Sequence, residues 1–280
     1  MLHSCALFGI KALPNTTDTK HGSAWTRDEL VLALYLYCQI PFAKTKASSS
    51  EIIQLAQTLG RTPSSVARQL GNFGAFDPLL AQKGITGLIH YSNADKEIWN
   101  DFYQHRDLLV EASQAIIAKS GFSTQLAPEP EEETQSSLPA LAFPTGPTAQ
   151  PKLVMTRLYQ SFFRRAVLSS YGSACCLCSI DFPQLLVASH IKPWGGSEET
   201  RTDPQSGLCL CTLHDKAYDR GLMTVDADCK ISVSSLATIS KVVFVRTSLA
   251  AFDKQKIMLP RRFAPKPEYL DWHRKNIFKA

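Results

Sequence analysis

Residues 123–151, STQLAPEPEEETQSSLPALAFPTGPTAQP, constrain this chain most, because they divide it. The stretch is rich in Pro, Glu, Ser and Thr and has no apolar periodicity. It cannot bury enough apolar surface to offset the entropy of ordering it. It reads as a tether between a module at 20–122 and a second at 152–280, each of ordinary domain size. Residues 1–19 read as a disordered lead-in, since they lack the apolar core and small-residue cleavage site of a signal peptide. With 44% apolar and 20% charged residues, both modules have material for a core. The longest apolar runs are short and interrupted, which excludes a transmembrane helix and any membrane partner. Eight unevenly spaced cysteines with no secretory signal suit a reducing, cytoplasmic setting, where they serve as core thiols or metal ligands.

Charge is unevenly shared. Residues 152–280 hold 19 Lys and Arg against 11 Asp and Glu, a net of +8, while the rest holds 11 against 14. A basic C-terminal module suits a polyanion partner.

The first module reads as helical. Asp28 to Cys38 opens with acidic residues and turns strongly apolar, as a buried helix does. Ser48-Ser-Ser-Glu51 before Ile52, Ile53 and Leu55 looks like a second helix start. Gly60 can stop that helix, and Thr62 can cap a third with Pro63 at its first position. On the third, Val66, Leu70 and Phe73 share one face. Ser64, Ser65, Arg68, Gln69 and Asn72 lie around the others, with side chains able to contact phosphates and base edges of double-stranded DNA. A helix, a Gly turn and a capped polar-faced helix have the makeup of a helix-turn-helix. A further long helix is expected from Asp95 to Lys119. A helical scaffold that only positions the second module or makes a dimer remains open beside the DNA-reading interpretation.

The second module carries Leu185-Leu-Val-Ala-Ser-His-Ile-Lys-Pro-Trp194 and then Asp203-Pro-Gln-Ser-Gly-Leu-Cys-Leu-Cys-Thr-Leu-His-Asp-Lys-Ala-Tyr-Asp-Arg-Gly221. The first block reads as a strand ending at His190. The second reads as a strand around Leu208 to Leu213, then a short helix from His214 to Arg220 stopped by Gly221. Met223 to Asp226 and Lys230 to Ser234 continue as strands. The overall class is α+β. These motifs, with Phe163-Arg-Arg-Ala-Val-Leu before them and Trp272 to Phe278 after, resemble the HNH (ββα-metal) nuclease family over most of 155–280. The helical module ahead of them also looks like the one that precedes such nucleases in bacterial restriction proteins.

That resemblance implies a metal-dependent DNA endonuclease, of restriction type, with His190 as general base. A neutral imidazole has a suitable proton affinity near pH 7. A Mg²⁺ or Mn²⁺ ion would be held from the helix by His214 or Asp215, two adjacent candidates between which the motif does not choose. The family's middle Asn falls at Ser206, which can still hydrogen-bond the loop. Its frequent Asp before the base is Ser189 here. These departures keep two alternatives open: a weak or inactive HNH-fold DNA-binding or regulatory protein, and a nicking or repair nuclease. Lys192, two residues past the base, is a candidate phosphate contact, and the basic residues Arg261, Arg262, Arg274 and Lys275 could form an arm on DNA. Since one ββα site cuts one strand, a double-strand break favours a homodimer.

Cys175-x-x-Cys178 has zinc-ligand spacing, and Cys209 with Cys211 could complete a structural Zn²⁺ site. Cys211-x-x-His214 could serve instead, at the cost of removing His214 from the catalytic ion. Asp219 closes the helix and reads as a partner of Arg220 or of backbone amides. Buried thiols with no metal are the plainer interpretation of the cysteines.

Overall fold

The computed structural model describes residues 20, 22–88, 91–120, 149–193 and 200–280. The lead-in, nearly all of the expected tether, and Trp194 lie outside the described residues.

The N-terminal module is built round α1 (Arg27–Gln39), which is apolar on every side and is buried from Glu29 onward. It packs against α2 (Ser50–Leu59), α3 (Pro63–Gly74), α5 (Asn93–Phe102) and α6 (Arg106–Ser120); a short α4 (Pro78–Gln82) follows α3. Thr26 and Glu29 close a reciprocal cap on α1. Glu29 also binds Arg61, at 2.8 Å, and Lys20, tying the start of α1 to the turn between α2 and α3. Burial alone would raise the Glu29 carboxyl, but the bonds from Arg61, Lys20 and the Thr26 amide outweigh it and hold it at about 2. Gly60 ends α2 at φ 65°, a left-handed turn that favours glycine, and Thr62 accepts from the Ser65 amide to start α3.

One helix was expected from Asp95 to Lys119; two occur. Arg106 donates to the Phe102 carbonyl at the end of α5, and the chain turns there. The break lets Trp99 and Phe102 on one helix and Leu109 and Val110 on the next share a single core, and leaves Leu108 outside it.

The C-terminal module begins with α7 (Ala149–Ser170). Next come β1 (Leu186–His190) and β2 (Gly207–Cys211), paired antiparallel with His190 opposite Gly207, and then α8 (Thr212–Asp219). A second antiparallel pair joins β3 (Met223–Val225) to β4 (Ile231–Val233). Helices α9 (Ser235–Thr238), α10 (Val243–Ser248) and α11 (Pro267–Asn276) complete the chain, α11 lying on β3. The fold class is α+β.

The two cores meet at α7. Phe162 packs with the helical core, stacked on Tyr35 at 5.4 Å, while its neighbour Phe163 belongs to the core around β1 and β2. A second tie is Arg262, expected on an exposed arm. It is fully buried instead, lying over the Tyr37 ring and donating to the Tyr37 and Cys38 carbonyls in the last turn of α1. A cation there also meets the negative end of the helix dipole. Arg261, Arg274 and Lys275 are exposed as expected.

Candidate active site and metal centre

β1 delivers His190 at its last residue. The ring lies flat on Phe163, with centroids 3.6 Å apart and planes 10° from parallel. Nε2 is 3.3 Å from the Arg201 carbonyl. A carbonyl only accepts, so Nε2 donates there and the lone pair of the neutral ring sits on Nδ1. Burial lowers the His190 pKa to about 4 against the pull of that carbonyl, so the ring is neutral at physiological pH.

Ser206 ends the short turn that precedes β2. It is completely buried, and its hydroxyl faces the Thr200 and Asp203 carbonyls at 2.7 and 2.9 Å. Its own carbonyl accepts from the Ile191 amide. Ser206 therefore holds the loop whose next residue, Arg201, orients His190.

α8 begins directly after β2 and separates His214 from Asp215. His214 turns inward. Its Nδ1 lies 3.2 Å from Cys211 Sγ and 3.6 Å from Cys175 Sγ, and Cys178 Sγ lies 3.8 Å from Cys211 Sγ. All four ligand atoms fall within 4.8 Å of one another. A tetrahedral zinc with bonds of ~2.3 Å to sulfur has sulfur–sulfur edges of ~3.8 Å, so this donor set fits zinc. Nε2 of His214 donates to the Ser248 carbonyl at 2.8 Å, fixing the tautomer that offers Nδ1 to a metal. The Cys211 thiol and His214 hold the Cys175 thiol well below its ordinary range despite burial, as suits a thiolate ligand. Cys209, the alternative ligand, lies in the apolar core, where burial raises its pKa to about 12.

Asp215 faces the other way, toward the strand that carries the base. Burial raises its pKa, opposed by the Ser189 hydroxyl and Lys216. Asp219, one turn on, is raised by burial and by the Asp215 charge. Two carboxylates at this spacing share a helix face, and their hard oxygens fit a divalent cation such as Mg²⁺ or Mn²⁺. His214, the other candidate for that ion, is committed to the cysteine cluster by its ring geometry. Lys192 sits with its ammonium 4.8 Å from the Tyr269 ring centre and 6.0 Å from that of Trp272, a bed supplied by α11.

The polar residues expected to read DNA divide in two. Ser64 and Arg68 are exposed on α3 and Ser65 is half-buried. Gln69 and Asn72 are buried, and both side-chain amides donate to Asp95, at 2.7 and 3.3 Å. They join α3 to α5 and are withdrawn from any groove. Asp95 also accepts from the Ser92 amide, so one buried carboxylate organises three donors.

Residues missed by sequence reasoning are the supports of the base. Phe163 stood out only through resemblance, and the role of the Arg201 carbonyl leaves no mark in a sequence. The cysteine and histidine cluster did leave one: Cys175-x-x-Cys178 and Cys211-x-x-His214 repeat the same spacing.

A comparison with curated proteins found no match. Among solved structures, a modification dependent TagI restriction endonuclease is similar at 17% identity and a TM-score of 0.27, over 41% of this chain and 37% of that one. The chain thus spans little more than a third of the length of that structure. Residues 175–226 match the family model described as HNH endonuclease, which takes in the cysteine pair, both paired strands and α8. The matched stretch contains a ββα unit formed by β1, β2 and α8, and over those residues the chain is similar to an HNH endonuclease domain.

Proposed function

We propose that this chain is a metal-dependent DNA endonuclease of restriction type in which His190 is the general base. The observation that carries the reading is the setting of His190, a neutral ring at the end of β1 clamped between Phe163 and the Arg201 carbonyl. Hydrolysis needs a proton acceptor for the attacking water and positive charge near the phosphate and the leaving 3′ oxygen. His190 Nδ1 takes the proton from the water. Phe163 and Arg201 hold the ring so that little reorganisation accompanies the transfer. Asp215, with Asp219 one turn away, would hold the divalent ion, which would supply Lewis-acid stabilisation of the phosphate. Lys192 adds a fixed positive charge for the DNA backbone. The Cys175, Cys178, Cys211 and His214 cluster binds a structural zinc that anchors α8.

In the same reading the exposed face of α3, with Ser64, Ser65 and Arg68, contacts double-stranded DNA. A homodimer supplies the second site for a double-strand break. The test is cleavage of supercoiled plasmid with Mg²⁺ or Mn²⁺, on methylated and unmethylated DNA. Wild type should nick or linearise the plasmid, and His190→Ala and Asp215→Asn should leave it supercoiled. Intact plasmid under every condition with wild type, or equal cleavage by His190→Ala, would overturn the assignment.

A further inference from the structure

The segment that follows β4 puts apolar side chains on the surface where a soluble domain would carry charge. Leu236, Ile239, Val242, Val243 and Phe244 are each between 58% and 75% exposed, within nine consecutive residues. Single exposed apolar residues are ordinary, but a contiguous group of this size is not. Together these five present on the order of 600 Å², at the upper end of the largest patch on a monomer. A standard interface takes about 800 Å² from each partner. Beside them runs an open groove of about 540 Å³ lined by Val243, Ala250 and Ala251 together with Thr238, Arg246 and Thr247.

We infer that this face is where a second copy of the chain docks, making the nuclease a two-fold dimer. Ridge and groove lie on the same stretch of chain, so a two-fold axis lets the ridge of each protomer, Leu236, Ile239 and Phe244, enter the groove of the other. That self-complementarity is what an isologous contact requires. Lys241 and Arg246 are the only charged residues between 235 and 248, too few to recruit DNA or an acidic membrane. The area offered is about three-quarters of the roughly 800 Å² that a standard interface takes from each partner, and the groove residues add to it. The face also adjoins the metal centre: α10 ends at Ser248, whose carbonyl accepts from the His214 ring. The functional consequence, two sites acting on two strands, rests on the nuclease reading; the dimer itself does not.

Sedimentation velocity on the full chain at micromolar concentration tests this. Wild type should sediment at twice the chain mass. Ile239→Asp with Phe244→Asp, and separately Val243→Lys, should halve it with an unchanged circular dichroism spectrum, since these side chains contribute little to the monomer core. The variants should still nick supercoiled plasmid but lose linear product. A monomeric wild type would overturn the proposal, as would variants that stay dimeric. If deleting residues 1–19 turned a monomer into a dimer, the patch would belong to the chain's own N-terminus and the proposal would fall. A wild-type dimer that cuts nothing, dissociated by these substitutions, would uphold the interface and sink the nuclease reading alone.

Discussion

Gly207→Ala should damage catalysis through packing. Gly207 pairs with His190 across the sheet, and its φ of −125° suits any residue, so the backbone does not require glycine. Space does. A Cβ at 207 would lie 2.5 Å from Val167 Cγ2 and 2.7 Å from Phe163 Cζ. Carbon atoms without a bond settle at about 3.5–4.0 Å, so a gap of roughly 1 Å must open. α7 cannot simply retreat, because Phe162, the next residue, is fully buried in the helical core behind it. The Phe163 ring must therefore swing, and that ring is the platform for His190. Overpacking of this kind costs about 1–3 kcal/mol. A misplacement of about 1 Å near a catalytic group can cost on the order of 100-fold in rate. Gly207→Ala should thus lower the melting temperature by a few degrees yet cut plasmid nicking far more, with metal dependence unchanged. Wild-type nicking by a variant that folds would refute the link from α7 through Phe163 to the base.

Other expectations follow from the same contacts. His190 titrates at about 4 in the free protein, so kcat/KM should be flat with respect to this group near neutrality and fall tenfold per pH unit below about 4. Bound phosphate favours the imidazolium, so the acid limb of kcat should lie higher; limbs at the same pH in both parameters would count against His190 as base. His190 and buried His273 are both lowered by burial from 6.5 to about 4, worth at most about 3 kcal/mol each. Their contribution is complete above pH 6.5 and is lost as pH falls toward 4, so urea midpoints should drop over that window; no change between pH 7 and 4.5 would contradict the burial argument. Glu29→Gln leaves Arg61 charged and buried without its partner, and unfolding free energy should fall by about 3–5 kcal/mol; a change under about 1 kcal/mol would show the pair to be solvated. Asp95→Ala should destabilise by releasing the Gln69 and Asn72 amides inside the fold, at about 1–3 kcal/mol for each amide left unpaired. A neutral Asp95→Ala would place those side chains back at the surface.

The legible parts of the sequence were those with local chemistry. Thr62 and Pro63 mark the start of α3, Gly60 and Gly221 stop helices with positive φ, and the run ending at His190 is β1. What stayed hidden was tertiary. The polar face of α3 looked uniform, yet Asp95, 23 residues beyond Asn72, draws Gln69 and Asn72 inward. Arg262 looked like one more basic residue of a surface arm, because only the fold shows the open carbonyls of α1 beside it. His214 and Asp215 are one residue apart and chemically ambiguous as text. The turn of α8 resolves them by sending one ring to the cysteines and one carboxylate toward β1. Ser206 kept the place of the family's Asn but uses its hydroxyl on two backbone carbonyls, a role that the residue type permits and does not announce.

The division of labour between those two neighbours is the centre of the account. It is tested most directly by measuring bound zinc and plasmid nicking together in His214→Cys and Asp215→Asn. Cys at 214 supplies a thiolate at a reach similar to that of Nδ1, so His214→Cys should keep one zinc per chain and retain nicking. Asp215→Asn should keep the zinc and lose nicking. Loss of zinc in Asp215→Asn, or full nicking by that variant, would contradict the assignment of one residue to the structural metal and the next to the catalytic one.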